Sequence, residues 1–170
     1  MRTRHRGPKL TTSMMSGMTP PRTPIRIIPP VVLFAAIIAM IALDALIPGA
    51  RLLTWPWRWA GALLIVAGVG LVLVVARLFR RAGTTIMPFE ESSALVVEGP
   101  YRASRNPIYL GMAIALAGVA ILLGTLTPWI VIPLFVIAID RRFVVGEEAM
   151  LRARFGAAYD DYRSRVRRWI

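Results

Sequence analysis

The chain has no cysteine, one histidine and one lysine. Without cysteine there is no disulfide, no thiolate nucleophile, no zinc–thiolate site and no iron–sulfur cluster. The histidine, His5, lies in the N-terminal tail, which argues against a catalytic imidazole or a His-based metal site. Arg, Asp, Glu, Tyr, Asn, Ser, Thr and backbone groups are left to carry any chemistry. The chain also lacks a Rossmann glycine fingerprint, a P-loop and an H-E-x-x-H pair. Acid is scarce: nine Asp and Glu stand against 21 Lys and Arg, for a net charge of +12. A basic balance of this kind suits nucleic acid or an anionic membrane leaflet. The arginines flank apolar segments, so the membrane is the preferred reading and no nucleic-acid partner is expected.

Apolar sequence is abundant. Hydrophobic residues make up 56% of the chain and the mean hydropathy is +0.61, more apolar than a soluble domain of this size. The apolar residues come in blocks close to the roughly 20 residues that a helix needs to cross a bilayer. Four spans are predicted, over about 31–47, 60–79, 107–123 and 129–145, the last two forming an antiparallel hairpin around the short "GTLTP" turn. Pro133 is a candidate kink in the fourth. A signal peptide is the competing reading of the first block, but the run is long for an h-region and lacks a clean A-x-A site. Residues 1–24 are basic and proline-rich without periodicity, which predicts a disordered tail; Met14, Met15 and Met18 are alternative starts.

Charge predicts topology. Arg51 and Arg58 lie between the first two spans, beside Trp55, Trp57 and Trp59, which suit a bilayer interface. All other basic residues fall on the opposite side, which the positive-inside rule makes cytoplasmic. Both termini and the loop 80–106 then share the cytoplasmic face of an integral membrane protein, expected in a prokaryotic plasma membrane. Beyond the fourth span, Leu151, Phe155, Tyr159, Tyr162, Val166 and Trp169 recur at helical spacing while arginines and aspartates fill the other face. This predicts an amphipathic helix over 147–169, lying on the membrane or packed on the loop before the third span.

The stretch "EGPYRASRNPIYLGM", residues 98–112, holds two turn pairs and two arginines directly against the third span. Asn106–Pro107 reads as N-cap and first residue of a helix, and such a start suits an anion, with Arg102 and Arg105 close by. Glu147 and Glu148 open the last predicted helix, where acids favour the dipole, or else they form a site for a cation or for ribose hydroxyls. Tyr101 and Tyr109 bracket the loop, either as interface anchors or as rings facing a bound base or sulfonium. Asp44 and Asp140, near span ends, read as structural. These groups outline a cytoplasmic pocket with anion donors on one side and carboxylates on the other, suited to a small zwitterion or to a cation with a carboxylate tail.

"GTTIMPFEESSALVVEGPYRASRNPIYLGM", an apolar hairpin and "EEAMLRARFGAAYDDYRSRVRRW" together resemble the C-terminal core of the isoprenylcysteine carboxyl methyltransferases, whose general plan the phospholipid N-methyltransferases share. The resemblance covers about residues 83–169 and rests on the ordered set G-P-Y-R, R-N-P-x-Y, E-E-x-x-L and F-G-x-x-Y-x-x-Y. It implies an all-helical membrane methyltransferase that uses S-adenosyl-L-methionine. The implied cofactor residues are Ser93, Ala94, Leu95, Val96, Tyr101, Asn106, Pro107, Ile108, Tyr109 and Glu147, with Glu148 beside them. Asn106 replaces the histidine common in isoprenylcysteine enzymes, which leaves cofactor binding little affected. Phe143 replaces an arginine that would serve a substrate carboxylate. Arg142 is its neighbour, about 100° round a helix, and is the residue expected to orient an anionic acceptor.

The function so predicted is methyl transfer to a lipophilic acceptor in the bilayer. Catalysis would come from orientation and partial desolvation of the nucleophile. Carboxylate methylation of the isoprenylcysteine type is the leading form; phospholipid-type N-methylation, which Phe143 favours, is the alternative. A non-catalytic membrane scaffold that keeps the fold is a further alternative.

Overall fold

The computed structural model describes residues 28–83 and 95–170; the N-terminal tail and the expected cofactor residues Ser93 and Ala94 lie outside this set. Among the described residues the chain is all-helical, with a single isolated β-bridge between Arg51 and Thr125. Pro29 and Pro30 start α1 (Pro29–Leu46), where the missing N–H of proline costs nothing. A short turn, Trp57–Trp59, leads into α2 (Ala60–Arg81), which ends on Arg80 and Arg81, cations that favour the negative end of a helix. Pro107 starts α3 (Pro107–Leu123). Gly124 ends it at a φ of +78°, a left-handed conformation natural to glycine.

Helices α1 and α2 are long and apolar enough to cross a membrane, and α3, at 17 residues, is apolar but shorter. Only 17% of the apolar window of α1 and 11% of that of α2 is buried, so neither is the core helix of a soluble domain. Large side chains such as Phe34, Ile38, Leu63, Val66 and Leu73 point outward, as lipid contact requires.

Helices α2 and α3 form the most extensive pair. The expected hairpin of the third and fourth spans exists, but it is not the tightest contact. The reason lies in the glycines. A Cβ on Gly61 would stand 2.4 Å from the Gly118 carbonyl oxygen, and one on Gly68 would stand 2.4 Å from that of Gly111. The pairs run in opposite chain directions, so the helices are antiparallel and touch backbone to backbone. Helix α1 packs against α3 and the fourth helical segment, where Met40, Leu116, Phe135 and Ile139 build the shared core.

The fourth segment differs from expectation. A turn at Thr127–Ile130 runs into α4 (Val131–Ile139), then a π-helical turn at Asp140–Val144, then α5 (Val145–Phe155). Backbone angles stay right-handed helical at every junction, for example φ −57° and ψ −47° at Val144. One helical run therefore extends from Thr127 to Phe155, and no new helix begins at Glu147. Nor is 147–169 one helix. Gly156, at φ +49°, breaks it before α6 (Ala157–Arg165), and the chain is extended at Val166. The predicted apolar stripe still turns inward, with Tyr159 and Tyr162 buried and Leu151, Phe155, Val166 and Trp169 half-buried.

The glycine contacts predict opposite signs for one substitution. Gly61→Ala or Gly118→Ala forces the α2 and α3 backbones apart and costs about 1–3 kcal/mol. Gly70→Ala meets nothing within 4 Å and stabilises α2 by up to about 1 kcal/mol. Thermal unfolding midpoints in detergent, lowered in the first two variants and equal or raised in the third, check this.

Candidate functional site

At the end of the bundle that carries Pro29, Arg81 and Pro107, four segments converge: the short turn Gly99–Arg102, the start of α3, the π-turn with the first turn of α5, and the chain beyond α6. The register of the fourth segment decides what reaches the centre. Val131, Phe135, Ile139 and Phe143 are buried at four-residue steps, and Glu147 is the next member. At 100° per residue a regular helix drifts about 40° per step, so Glu147 would end about 160° from Val131. A π-turn takes up one additional residue, about 100° of that drift, and π-turns recur at functional sites for this reason. Phe143 and Glu147 thus stay on the face toward α3.

There Tyr109 donates a 2.6 Å hydrogen bond to Glu147 Oε1, and its ring lies 6.3 Å from that of Phe143. Burial pushes the Glu147 carboxyl above the ordinary range, and the Tyr109 hydrogen bond opposes this in part. Tyr101 faces the same carboxylate, and its hydroxyl is pushed up by burial, then by Tyr162 and Glu147. The Tyr101 ring also packs on Phe79 of α2 at 5.8 Å. One half-buried carboxylate thus sits beside Tyr109 and Tyr101, with the Phe143 ring packed near that of Tyr109. Such a group attracts a cation small enough to enter, and the ring faces add to that attraction.

Glu148, one residue on, is engaged elsewhere. Arg105 Nη2 lies 3.0 Å from Oε1, while Arg168 donates from Nη2 to Oε2 at 2.7 Å and from Nε to Oε1 at 3.2 Å. Arg168 Nη1 also meets Asp140 at 3.3 Å. The expected pair of carboxylates is therefore split. Glu147 faces Tyr109 and Tyr101, and Glu148 is an ion-pair partner of Arg105 and Arg168. Neither uses a helix dipole, because α5 continues the preceding helix.

Asn106 is a second correction. It precedes α3 but makes no side-chain cap. Its Nδ2 instead donates to the Arg168 carbonyl at 3.1 Å, beside Ser104 Oγ at 3.2 Å. Arg105 N donates to the Arg167 carbonyl and Arg105 Nη1 to that of Arg163. The start of α3 is thus covered by the chain's last residues, with Asn106 and Pro107 buried, and it is not an open anion site. Tyr162, its hydroxyl pushed up to about 12 mainly by burial, donates to the Tyr101 carbonyl at 2.8 Å. Leu95, Val96 and Ile108 are half-buried near this loop. Sequence reasoning placed Arg168 on a solvated face. Its role depends on the extended chain after Arg165, for which helical spacing gives no signal.

Arg142, expected to meet an acceptor, is exposed with Arg141 on the π-turn. Both line a cleft of about 320 Å³ together with Val32, Ala138 and Phe143. Neither guanidinium has an ion-pair partner among the described residues. Phe143 is shared between the cleft and the wall behind Glu147. No group of three or more His, Cys, Asp or Glu that could hold a metal occurs among the described residues.

The sign of the Glu147 shift gives a test. A carboxyl raised by folding binds more protons folded than unfolded, so stability falls as pH rises from the ordinary Glu range through the raised value. Glu147→Gln removes that contribution. Denaturation midpoints followed over this range should decline less steeply for the variant than for the wild type.

Two comparisons bear on what such a site serves. The family model described as phospholipid methyltransferase matches residues 57–158, more than half the chain, including α2, α3, the π-turn and α5. A Haemophilus influenzae protein described only as uncharacterized is 30% identical over 63 residues, which is 37% of this chain and the whole of the relative. The matched segment holds the glycine-packed helix pair, the Tyr109–Glu147 contact and the two arginines of the cleft, and the chain belongs to the phospholipid methyltransferase family.

Proposed function

We propose that the chain transfers a methyl group from S-adenosyl-L-methionine to an amine carried by a lipid, at a pocket facing the cytoplasm. The observation that carries this is the half-buried Glu147 carboxylate, hydrogen-bonded to Tyr109 beside Tyr101, next to a basic, apolar cleft, with Phe143 between them. The donor set suits the cofactor: a carboxylate with Tyr109 and Tyr101 around it is complementary to a sulfonium or ammonium, and Leu95, Val96 and Ile108 supply apolar surface for a base. Bound there, S-adenosylmethionine supplies an electrophilic methyl whose C–S bond breaks to leave a neutral thioether.

The chain's own residues bind and orient. Glu147 holds the cationic end, and the Tyr109 hydrogen bond fixes the direction of its carboxylate. Tyr101 is fixed in turn by Tyr162 at its carbonyl and Phe79 at its ring. An amine attacks through its lone pair, so it must arrive without its extra proton. Partial burial of the nucleophile lowers its pKa and favours that form. Arg141 and Arg142, free of described partners, suit a phosphate at the membrane surface, while Val32, Ala138 and Phe143 offer an apolar side to the acyl part. Arg142 is thus a binding and orienting residue, and Glu147 touches the cofactor.

The amine is favoured over a carboxylate acceptor. Phe143 occupies the position at which an isoprenylcysteine enzyme uses an arginine, and it is buried on Tyr109, so no cation from this position faces the pocket. The cytoplasmic orientation rests on the distribution of arginine. A scaffold without turnover is the remaining reading, and it requires that the cofactor does not bind.

Calorimetric titration of the purified protein with S-adenosylmethionine should show binding that strengthens as pH rises through the Glu147 titration, because the carboxylate is the binding form. Glu147→Gln should weaken it by about tenfold or more and flatten the pH dependence, as loss of a charged partner does. Radiolabelled methyl transfer into a total lipid extract should give a base-stable product. A base-labile product would reverse the choice between amine and carboxylate, and absence of binding would leave the scaffold reading.

A further inference from the structure

The π-turn that brings Glu147 to α3 is a rare structure, met mostly as a single turn inside an α-helix. Something must hold it. Its first residue, Asp140, and Glu148, beyond its end, are both bound by one guanidinium. Arg168 places Nη1 3.3 Å from Asp140 and forks onto Glu148 at 2.7 and 3.2 Å. A planar guanidinium with five donors is the side chain able to make such a bridge, and a lysine ammonium is not. The backbone of the same residue accepts from Asn106 and Ser104, just before the helix that carries Tyr109. Arg168 therefore touches both sides of the Tyr109–Glu147 contact without being part of it.

We infer that Arg168 is the positioning residue of the pocket: it clamps the π-turn from Asp140 to Glu148 and ties that turn to the start of α3, so that Glu147 is held against Tyr109. The inference deepens the assignment of Glu147 as the cofactor's partner and rests on it for its functional consequence. Two acids and two arginines (Asp140, Glu148, Arg105 and Arg168) balance in the cluster. Arg168 is the member that joins the π-turn to the chain's last residues, while Arg105 reaches Glu148 alone among the acids. Trp169, half-buried against the core, anchors the next residue.

The clamp is read out at Glu147. Among described residues, the titratable groups facing that carboxyl are Tyr109 from α3 and Tyr101 from the short turn before it. If Arg168 holds the turn, Arg168→Ala frees Glu147 toward water, and its titration falls toward the ordinary carboxyl range. Mere loss of a neighbouring positive charge has the opposite sign and moves the titration up.

The experiment uses the full chain in lipid nanodiscs. The protonated-carboxyl infrared band of Glu147, assigned by its disappearance in Glu147→Gln, is followed against pH in wild type, Arg168→Ala and Arg168→Lys, with S-adenosylhomocysteine affinity measured in parallel. The expected result is a downward shift of about one unit, tenfold in the protonation equilibrium, in Arg168→Ala. Affinity should fall several-fold with it, and Arg168→Lys should lie between the two. Arg165→Ala, which removes an equal charge from an exposed pair with Asp161, should leave the band in place. Ser104→Ala removes a neutral tie to the Arg168 carbonyl, leaves the charge of the cluster unchanged and serves if Arg168→Ala does not fold; it should shift the band in the same direction. An unmoved or upward-moving band in the Arg168 and Ser104 variants overturns the inference. A wild type that binds no S-adenosylhomocysteine overturns the cofactor assignment instead, and the infrared band still decides the role of Arg168.

Discussion

The backbone contact of α2 with α3 is the constraint on which the rest depends. Two glycine pairs allow the helices to approach until carbonyl oxygens stand where a methyl group would be. One of these pairs uses Gly111, two residues beyond Tyr109, so the contact sets the position of the tyrosine that meets Glu147. In a bilayer the surrounding chains are as apolar as the side chains, and close packing rather than the hydrophobic effect holds such helices together. The same contact brings Phe79, near the end of α2, to the Tyr101 ring. The pocket's aromatic wall thus inherits its geometry from a line of residues that have no side chains at all.

Charge at this end of the bundle is divided by function. Asp140 and Glu148 are each paired with arginine, and Glu147 is hydrogen-bonded to a tyrosine. A paired acid keeps little attraction for another cation, whereas Glu147 keeps its full charge once ionised. The arginines divide in the same way. Arg105 and Arg168 are spent on acids and carbonyls, while Arg141 and Arg142 stand open at the cleft. Adjacent Glu147 and Glu148 take different roles because the helix turns them to different sides.

Much of the architecture was legible in the sequence. Apolar blocks located α1, α2 and α3 to within two residues at each end, since a bilayer demands a length that composition reveals. The stripe from Leu151 to Trp169 marked an inward face even where the helix breaks. The break itself at Gly156 was missed: a lone glycine within a periodic pattern is ambiguous until its φ is known. The π-turn was invisible because hydrophobic spacing of four fits α and π geometry alike. That error carried the others, for it hid the continuity of the fourth helix and so suggested a dipole at Glu147 and Glu148 that does not exist. Asn106 misled by a sound rule. Asn followed by Pro does mark the helix start, but the side chain found a partner sixty-two residues away, which no local rule anticipates.

The unbroken run from Thr127 to Phe155 has a mechanical consequence. Roughly 20 residues, about 30 Å of helix, separate Thr127 from Glu147, close to the thickness of a bilayer's hydrocarbon core. The run departs from α geometry at the opening turn, Thr127–Ile130, and at the π-turn, Asp140–Val144, and these are the places where such a segment bends. In a bilayer, a change in the tilt or bend of this segment moves Glu147, Arg141 and Arg142 together relative to the lipid headgroups. The depth of the carboxylate and that of the two arginines are thereby coupled through a single segment of chain.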